Sequence, residues 1–297
     1  MVINMRIKRS RGDLVFDVVS AVIGAVMLVI VVYPMYFCVI ASFSSPSAVA
    51  NGEAYFLPKN ITFEGYKRIF EEARIWVGYK NTLLYTVVGT AISLLFTIPA
   101  AYALSRKDLK GRNFIMMFFT FTMFFSGGLI PTYLTMNDFK LTNTFWVIVV
   151  PCSRSVYNLI ISRTFFASDV HQELLEAAQL DGCSNTRFLI QIVMPLSKAI
   201  IAVIALYCAV GQWNQYFTSL VYVRDQELQP LQLVLRNILL QNQALANSST
   251  LATSEVQRVA DQMKFGIIIV STVPIMCVYP FIQKYFTQGV MIGSIKG

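Results

Sequence analysis

The sequence predicts an all-α membrane protein with six transmembrane helices, and three observations carry that expectation. Of 297 residues, 56% are hydrophobic and 13% charged, where a soluble domain carries about 25% charge. Apolar runs long enough to cross hydrocarbon recur along the chain, separated by polar stretches rich in Pro, Gly and Ser. Two short clusters of Arg and Lys sit where they can fix the orientation of those runs in a bilayer.

Residues 1–13, with Arg6, Lys8, Arg9 and Arg11, read as a basic cytoplasmic N-terminus, and residues 14–42 as the first span. The apolar run Val18–Ala41 is too long for the hydrophobic part of a signal peptide, and no small-residue cleavage site clearly ends it, so it is expected to be retained. Residues 43–80 mix both charge signs with Pro46, Gly52 and Pro58 and form an extracytoplasmic loop. The core, 81–290, holds the other five spans: 81–105; 113–136, interrupted by Ser126-Gly127-Gly128 and Pro131; 141–162; 195–223; and 266–286. A polar segment, 169–193, separates the fourth and fifth spans; an extracytoplasmic loop, 224–265, separates the fifth and sixth; and residues 287–297 form a tail.

Six spans put both termini on one side. Arg6, Lys8, Arg9 and Arg11 precede the first span, and Arg106, Lys107, Lys110 and Arg112 lie between the second and third, so both clusters belong inside, and with them residues 173–187. The net charge of +8 then reflects orientation and anionic headgroups; no aromatic-plus-basic nucleic-acid motif is present. Five cysteines without C-x-x-C spacing give neither a disulfide framework nor a zinc site, and the single histidine, His171, makes no metal site alone.

The chemistry-bearing stretch is DVHQELLEAAQLDGCSNTRFLIQIVMP, residues 169–195. Asp169 with Gln172 three residues on offers a capping-box start to a short helix, Gly182 a left-handed end, and Ser184 the cap of a second short helix carrying Phe188 and Ile192. Val170, Leu174 and Ala177 or Ala178 fall on one stripe of the first helix, leaving Glu173 and Glu176 elsewhere on its surface.

Glu176-Ala177-Ala178, Asp181-Gly182, Phe188, Ile192 and Pro195 resemble the EAA loop of ABC importer permeases: EAA, three residues, Gly, nine residues, then I-x-L-P, with Met194 here in place of the usual Leu and Cys183 where Ala is frequent. The resemblance implies the type I ABC importer permease fold with cytoplasmic coupling helices. It implies that Glu173, Glu176, Ala177, Ala178, Asp181 and Gly182 meet a dimer of ATPase subunits, with Glu176 pairing a basic group there. It further implies a homologous second permease subunit, an extracytoplasmic solute-binding protein and no cofactor in this subunit, ATP and Mg being bound by the ATPase. The chain itself carries no G-x-x-x-x-G-K-[ST] phosphate loop, so no catalytic residue is assigned. Residues 283–297 resemble the tail of the carbohydrate class of these permeases, close to the maltose permease type, either as a close-fitting segment or as a free end. The sequences around Phe124–Tyr133, Arg163–Phe166 and Pro230–Gln232 look like a subgroup linked to complex, often acidic oligosaccharides.

A sugar path is expected where polar groups interrupt the spans: Arg154, Tyr157 and Asn158, spaced to share a helix face, then Gln212, Trp213, Asn214, Gln215 and Tyr216. Arg154 suits a carboxylate, or else snorkels to an interface or pairs with a neighbouring helix; Trp213 and Tyr216 equally suit an interfacial aromatic belt. A permease for a non-sugar solute would share the EAA loop. An ion-coupled secondary transporter would carry acids in its spans, and apart from Asp17 these have none.

Overall fold

The structure is a computed structural model that describes residues 11–151, 155–248, 263–277 and 280. Among the described residues the secondary structure is helical, with no strand. In chain order the helices are α1 (Arg11–Phe43), α2 (Pro46–Ala50), α3 (Glu64–Glu71), α4 (Ala73–Ser105), α5 (Arg112–Phe124), α6 (Leu129–Asp138), α7 (Phe145–Val149), α8 (Val156–Asp169), α9 (Gln172–Leu180) and α10 (Asn185–Phe188). Then come α11 (Met194–Leu196), α12 (Lys198–Trp213), α13 (Phe217–Tyr222), α14 (Leu231–Ser248) and α15 (Met263–Cys277).

Among the described residues two helices, α1 and α4, are long and apolar enough to cross a membrane, and four spans result if each of two bent pairs counts as one: α5 with α6, bent by 113°, and Asn185–Leu196 with α12, bent by 84°. The first two expected spans are thus unbroken, and the third, fourth and fifth are broken in specific places. Between α5 and α6 the cause is Ser126-Gly127-Gly128, where Gly128 has φ +81°, a conformation open to glycine. The expected fourth span, 141–162, is divided into α7 and α8 around Pro151, and α8 runs on to Asp169. The fifth, 195–223, becomes α11, α12 and α13.

The helix of the second span starts earlier than expected, at Ala73 rather than residue 81. The polar side chains at the expected start are satisfied by another segment: Asn81 Nδ2 donates to the carbonyls of Glu227 (2.6 Å) and Gln229 (3.1 Å), and the Leu231 amide donates to Thr82 Oγ1 (2.8 Å). The segments expected as loops also carry helices, α2 and α3 within 43–80 and α14 within 224–265. The basic residues Arg6, Lys8 and Arg9, Arg154, the last part of the sixth span and the tail 287–297 lie outside the described residues.

The chain divides into two compact units, residues 1–69 with 241–270, and residues 70–240 with 271–297. In the first, the C-terminal end of α1 folds onto its own loop: Tyr66 Oη donates to Ser42 Oγ (2.8 Å), Ser44 Oγ to the Ile40 carbonyl (2.8 Å), and Phe43 stacks on Tyr66. The apolar length of α1 before this point is unburied within the chain. In the second unit α4 is the axis, packed by α8 and α12, and its buried residues Ile98, Ala101, Tyr102 and Leu104 share one core with Leu159 and Phe166 of α8 and Ile200, Ile204 and Cys208 of α12.

Candidate functional site

Residues 169–196 fold as two helices at an angle, joined by a glycine turn. The first, α9, begins at Gln172 with His171 at its N-cap and no side-chain cap; Asp169, expected there, instead ends α8. Its C-terminus is a Schellman motif: the Gly182 amide donates to Gln179 O (3.0 Å) and the Cys183 amide to Ala178 O (2.9 Å), with Gly182 at φ +75°. Ser184 then caps α10, its Oγ accepting from the Arg187 amide (3.3 Å), as the sequence predicts. Pro195 has no N–H for the Gln191 carbonyl, and the backbone widens to a π turn over Leu189–Val193 before α11.

Of the expected stripe, Val170 and Ala178 pack on the core, while Leu175 takes the place expected for Leu174. Leu174 and Ala177 are exposed, since Val170 precedes α9 and does not set its register. Leu175, Ala178, Cys183 and Phe188 join Tyr102 and Phe166, with Tyr102 edge-on to Phe166 at 6.1 Å and 6.3 Å from Phe188. Glu173, Glu176, Asp181, Gly182 and Leu180, the last 90% exposed, remain outside. Gln172 Nε2 donates to Glu176 Oε1 (2.9 Å), holding that carboxylate along the helix. A cavity of about 420 Å³ separates this acidic face from Ser105–Asp108. There the Arg106 guanidinium, donating to both oxygens of Asp108, holds the Asp108 carboxyl below its ordinary pKa.

A second cavity, about 410 Å³, lies among α8, α12 and α13. It brings together Tyr157, Asn158, Gln212 and Gln215 from the sequence reading, with Ser155, Tyr207 and Thr218, which that reading did not include among the path residues. Tyr207 and Gly211 lie four residues apart on α12, and Gln215 follows four residues on, just past the helix end at Trp213, so stepping back from Gln215 would have found Tyr207. Two of its residues are tied down. Gln212 Nε2 donates to the Ile148 carbonyl (3.0 Å) above Gly89, and Asn158 Nδ2 donates to Cys208 Sγ (3.4 Å), which also meets Ser93 Oγ (3.0 Å). Gln215 Oε1 is buried without a hydrogen-bond partner. Among the described residues the lining carries no charged side chain.

Three expected path residues point elsewhere. Trp213 is buried, its indole N–H donating to the Ser271 carbonyl (3.1 Å), and Asn214 and Tyr216 are exposed outside this lining. Among the described residues no group of His, Cys, Asp and Glu could hold a metal ion.

Broken membrane-length helices around a polar cavity, with an EAA helix pair seated on the same core, define a solute permease of the ABC importer type. The chain belongs to the family of binding-protein-dependent transport system inner membrane components, which residues 74–291 match. That family is a transport component, and its members are non-catalytic. Among its relatives, the protein LplC of Bacillus subtilis is 37% identical over 97% of this chain and 97% of its own length. A polygalacturonan/rhamnogalacturonan transport system permease protein, YtcP, of the same organism is 35% identical over 90% of this chain and 93% of its own. A crystal structure of a bacterial ABC transporter involved in the import of the acidic polysaccharide alginate has a chain 34% identical, with a TM-score of 0.84, covering 94% of this chain and 99% of that one.

Proposed function

We propose that this chain is one of two permease subunits of an importer that carries oligosaccharides, uronate-containing ones among them, from a solute-binding protein into the cell. The observation that supports this most is the likeness, over at least nine-tenths of the chain, to two proteins whose names specify polygalacturonan and alginate, both uronate polymers. The cavity's chemistry agrees. Amides and hydroxyls bridge sugar hydroxyls, and Tyr157 and Tyr207 offer faces to sugar rings. Arg154, next in sequence to the cavity-lining Ser155, is the candidate for a carboxylate contact.

In this reading Glu173, Glu176, Ala177, Asp181, Gly182 and Leu180 form the exposed seat for an ATPase dimer that binds ATP and Mg, on the cytoplasmic side. Ala178 anchors the seat from beneath. Because Leu175, Ala178 and Phe188 share a core with α4, α8 and α12, a displacement of the seat moves the helices that carry Asn158, Cys208 and Gln212. Rigid packing transmits such a movement where a compliant loop would absorb it. The test is the ATPase activity of the reconstituted transporter, with its binding protein offered oligogalacturonates, alginate oligomers, arabino-oligosaccharides and galacto-oligosaccharides. Stimulation by the first two is expected; stimulation by none of the four removes the oligosaccharide reading.

A further inference from the structure

The end of α4 is held by three arginines, and one of them reaches across to the coupling segment. Arg163 Nε donates to the Leu104 carbonyl (3.0 Å), and Arg112 Nη1 to those of Ser105 (3.3 Å) and Arg106 (3.1 Å), so cations sit on the negative end of the helix. Arg106 itself is 13% exposed although it lies in a short surface loop. Its Nε and Nη2 are taken by Asp108, its guanidinium lies 6.0 Å from the Tyr102 ring, and its remaining Nη1 donates to Asn185 Oδ1 (2.7 Å), at the first residue of α10. A fork pinned on one edge by a carboxylate and over one face by a ring leaves its third donor fixed in direction.

We propose that Arg106 is a positioning residue for coupling: it fixes the start of α10 to the end of α4, so that the second coupling helix moves as one with α4, the helix that backs the cavity residues Gln212 and Cys208. The inference rests on the transport reading above and adds a polar connection to the apolar one. Apolar packing between α9–α10 and Tyr102 is close but non-directional; a hydrogen bond from a clamped guanidinium adds a fixed direction. Gly89 and Ser93 of α4 lie against Gln212 and Cys208, so a shift of α4 along its axis alters two residues of the cavity lining.

The experiment uses the whole transporter in proteoliposomes and reads sugar taken up per ATP hydrolysed, with the member of the four-sugar panel that wild type carries fastest. Arg106→Gln and Asn185→Leu should each lower that ratio by about tenfold while hydrolysis continues, the scale set by losing one hydrogen bond to a charged group. Asn185→Asp, which keeps an oxygen acceptor for Arg106, should retain the wild-type ratio. Asn185 is an exposed helix-start residue with Ser184 as its cap, so Asn185→Leu answers the question even if Arg106→Gln fails to assemble. A wild-type ratio in Asn185→Leu, or equal losses in Asn185→Leu and Asn185→Asp, overturns the proposal. Wild type that hydrolyses ATP but carries no sugar of the panel overturns instead the transport reading on which the proposal stands.

Discussion

Enlarging Ala178 should loosen the coupling seat, and enlarging its neighbour Ala177 should not. Ala178 is 7% exposed and packs in one core with Tyr102, Phe166 and Phe188, whereas Ala177 is exposed. Ala178→Leu inserts three carbons into a filled core, and overpacking of that kind costs about 1–3 kcal/mol. If α9 relieves it by lifting from the core, its local opening becomes more favourable by the same amount, about 5- to 140-fold at 1.4 kcal/mol per decade. Hydrogen exchange of the amides of residues 174–183 reads that factor directly in the detergent-solubilised chain. Ala177→Leu, the same change on the outer face, should leave exchange within about twofold, since surface substitutions usually stay within about 0.5 kcal/mol. Equal exchange in the two variants would refute the assignment of the packed face and, with it, the route by which the seat is joined to the spans.

Other outcomes follow from the same geometry. Gly182→Ala forces a side chain into φ +75°, costing about 1–2 kcal/mol, so exchange at the end of α9 should rise about 5- to 30-fold without change in α12. Gln212→Leu strands the buried Ile148 carbonyl at a cost of about 1–3 kcal/mol, and thermal unfolding in detergent should show a lowered midpoint. The Asp108 carboxyl, held below its ordinary pKa by Arg106, contributes stability that is present above the ordinary carboxylate range and lost only as pH falls through the lowered value. The carboxylate therefore keeps Arg106 pinned throughout pH 5 to pH 8, so wild type and Asp108→Asn should show parallel pH profiles of uptake per ATP there, with the variant offset downward because its amide holds Arg106 less firmly.

How far the sequence revealed this arrangement depends on the kind of signal. Composition and apolar run length identified a helical membrane protein, and the spacing of Gly182 and Ser184 located the turn and cap of the coupling segment, because left-handed backbone and N-caps demand particular residues. The 113° break falls at Ser126-Gly127-Gly128, which the sequence marks as an interruption, but run length could not reveal the 84° break, since residues on both sides of a kink remain apolar. The partners of Asn81 and Thr82, namely Glu227, Gln229 and Leu231, are about 150 positions away in the chain, beyond any local pattern. Trp213 suits a sugar path or an interfacial aromatic belt by its sequence; its indole serves Ser271, a contact that no local pattern encodes. Gln215 was legible as a polar interruption, and Tyr207 lay within reach of a four-residue step from Gly211, whereas the clamp on Arg106 needed the fold.

The most direct test of the account is ATP-driven translocation of trigalacturonate by the chain assembled with its second permease, ATPase dimer and binding protein, measured for wild type and for Glu176→Lys. Uptake by wild type, with hydrolysis but no uptake in the variant, is expected if the exposed acidic face of α9 is where the motor grips. Full uptake by Glu176→Lys, or uptake by wild type that persists without the ATPase subunits, would contradict it.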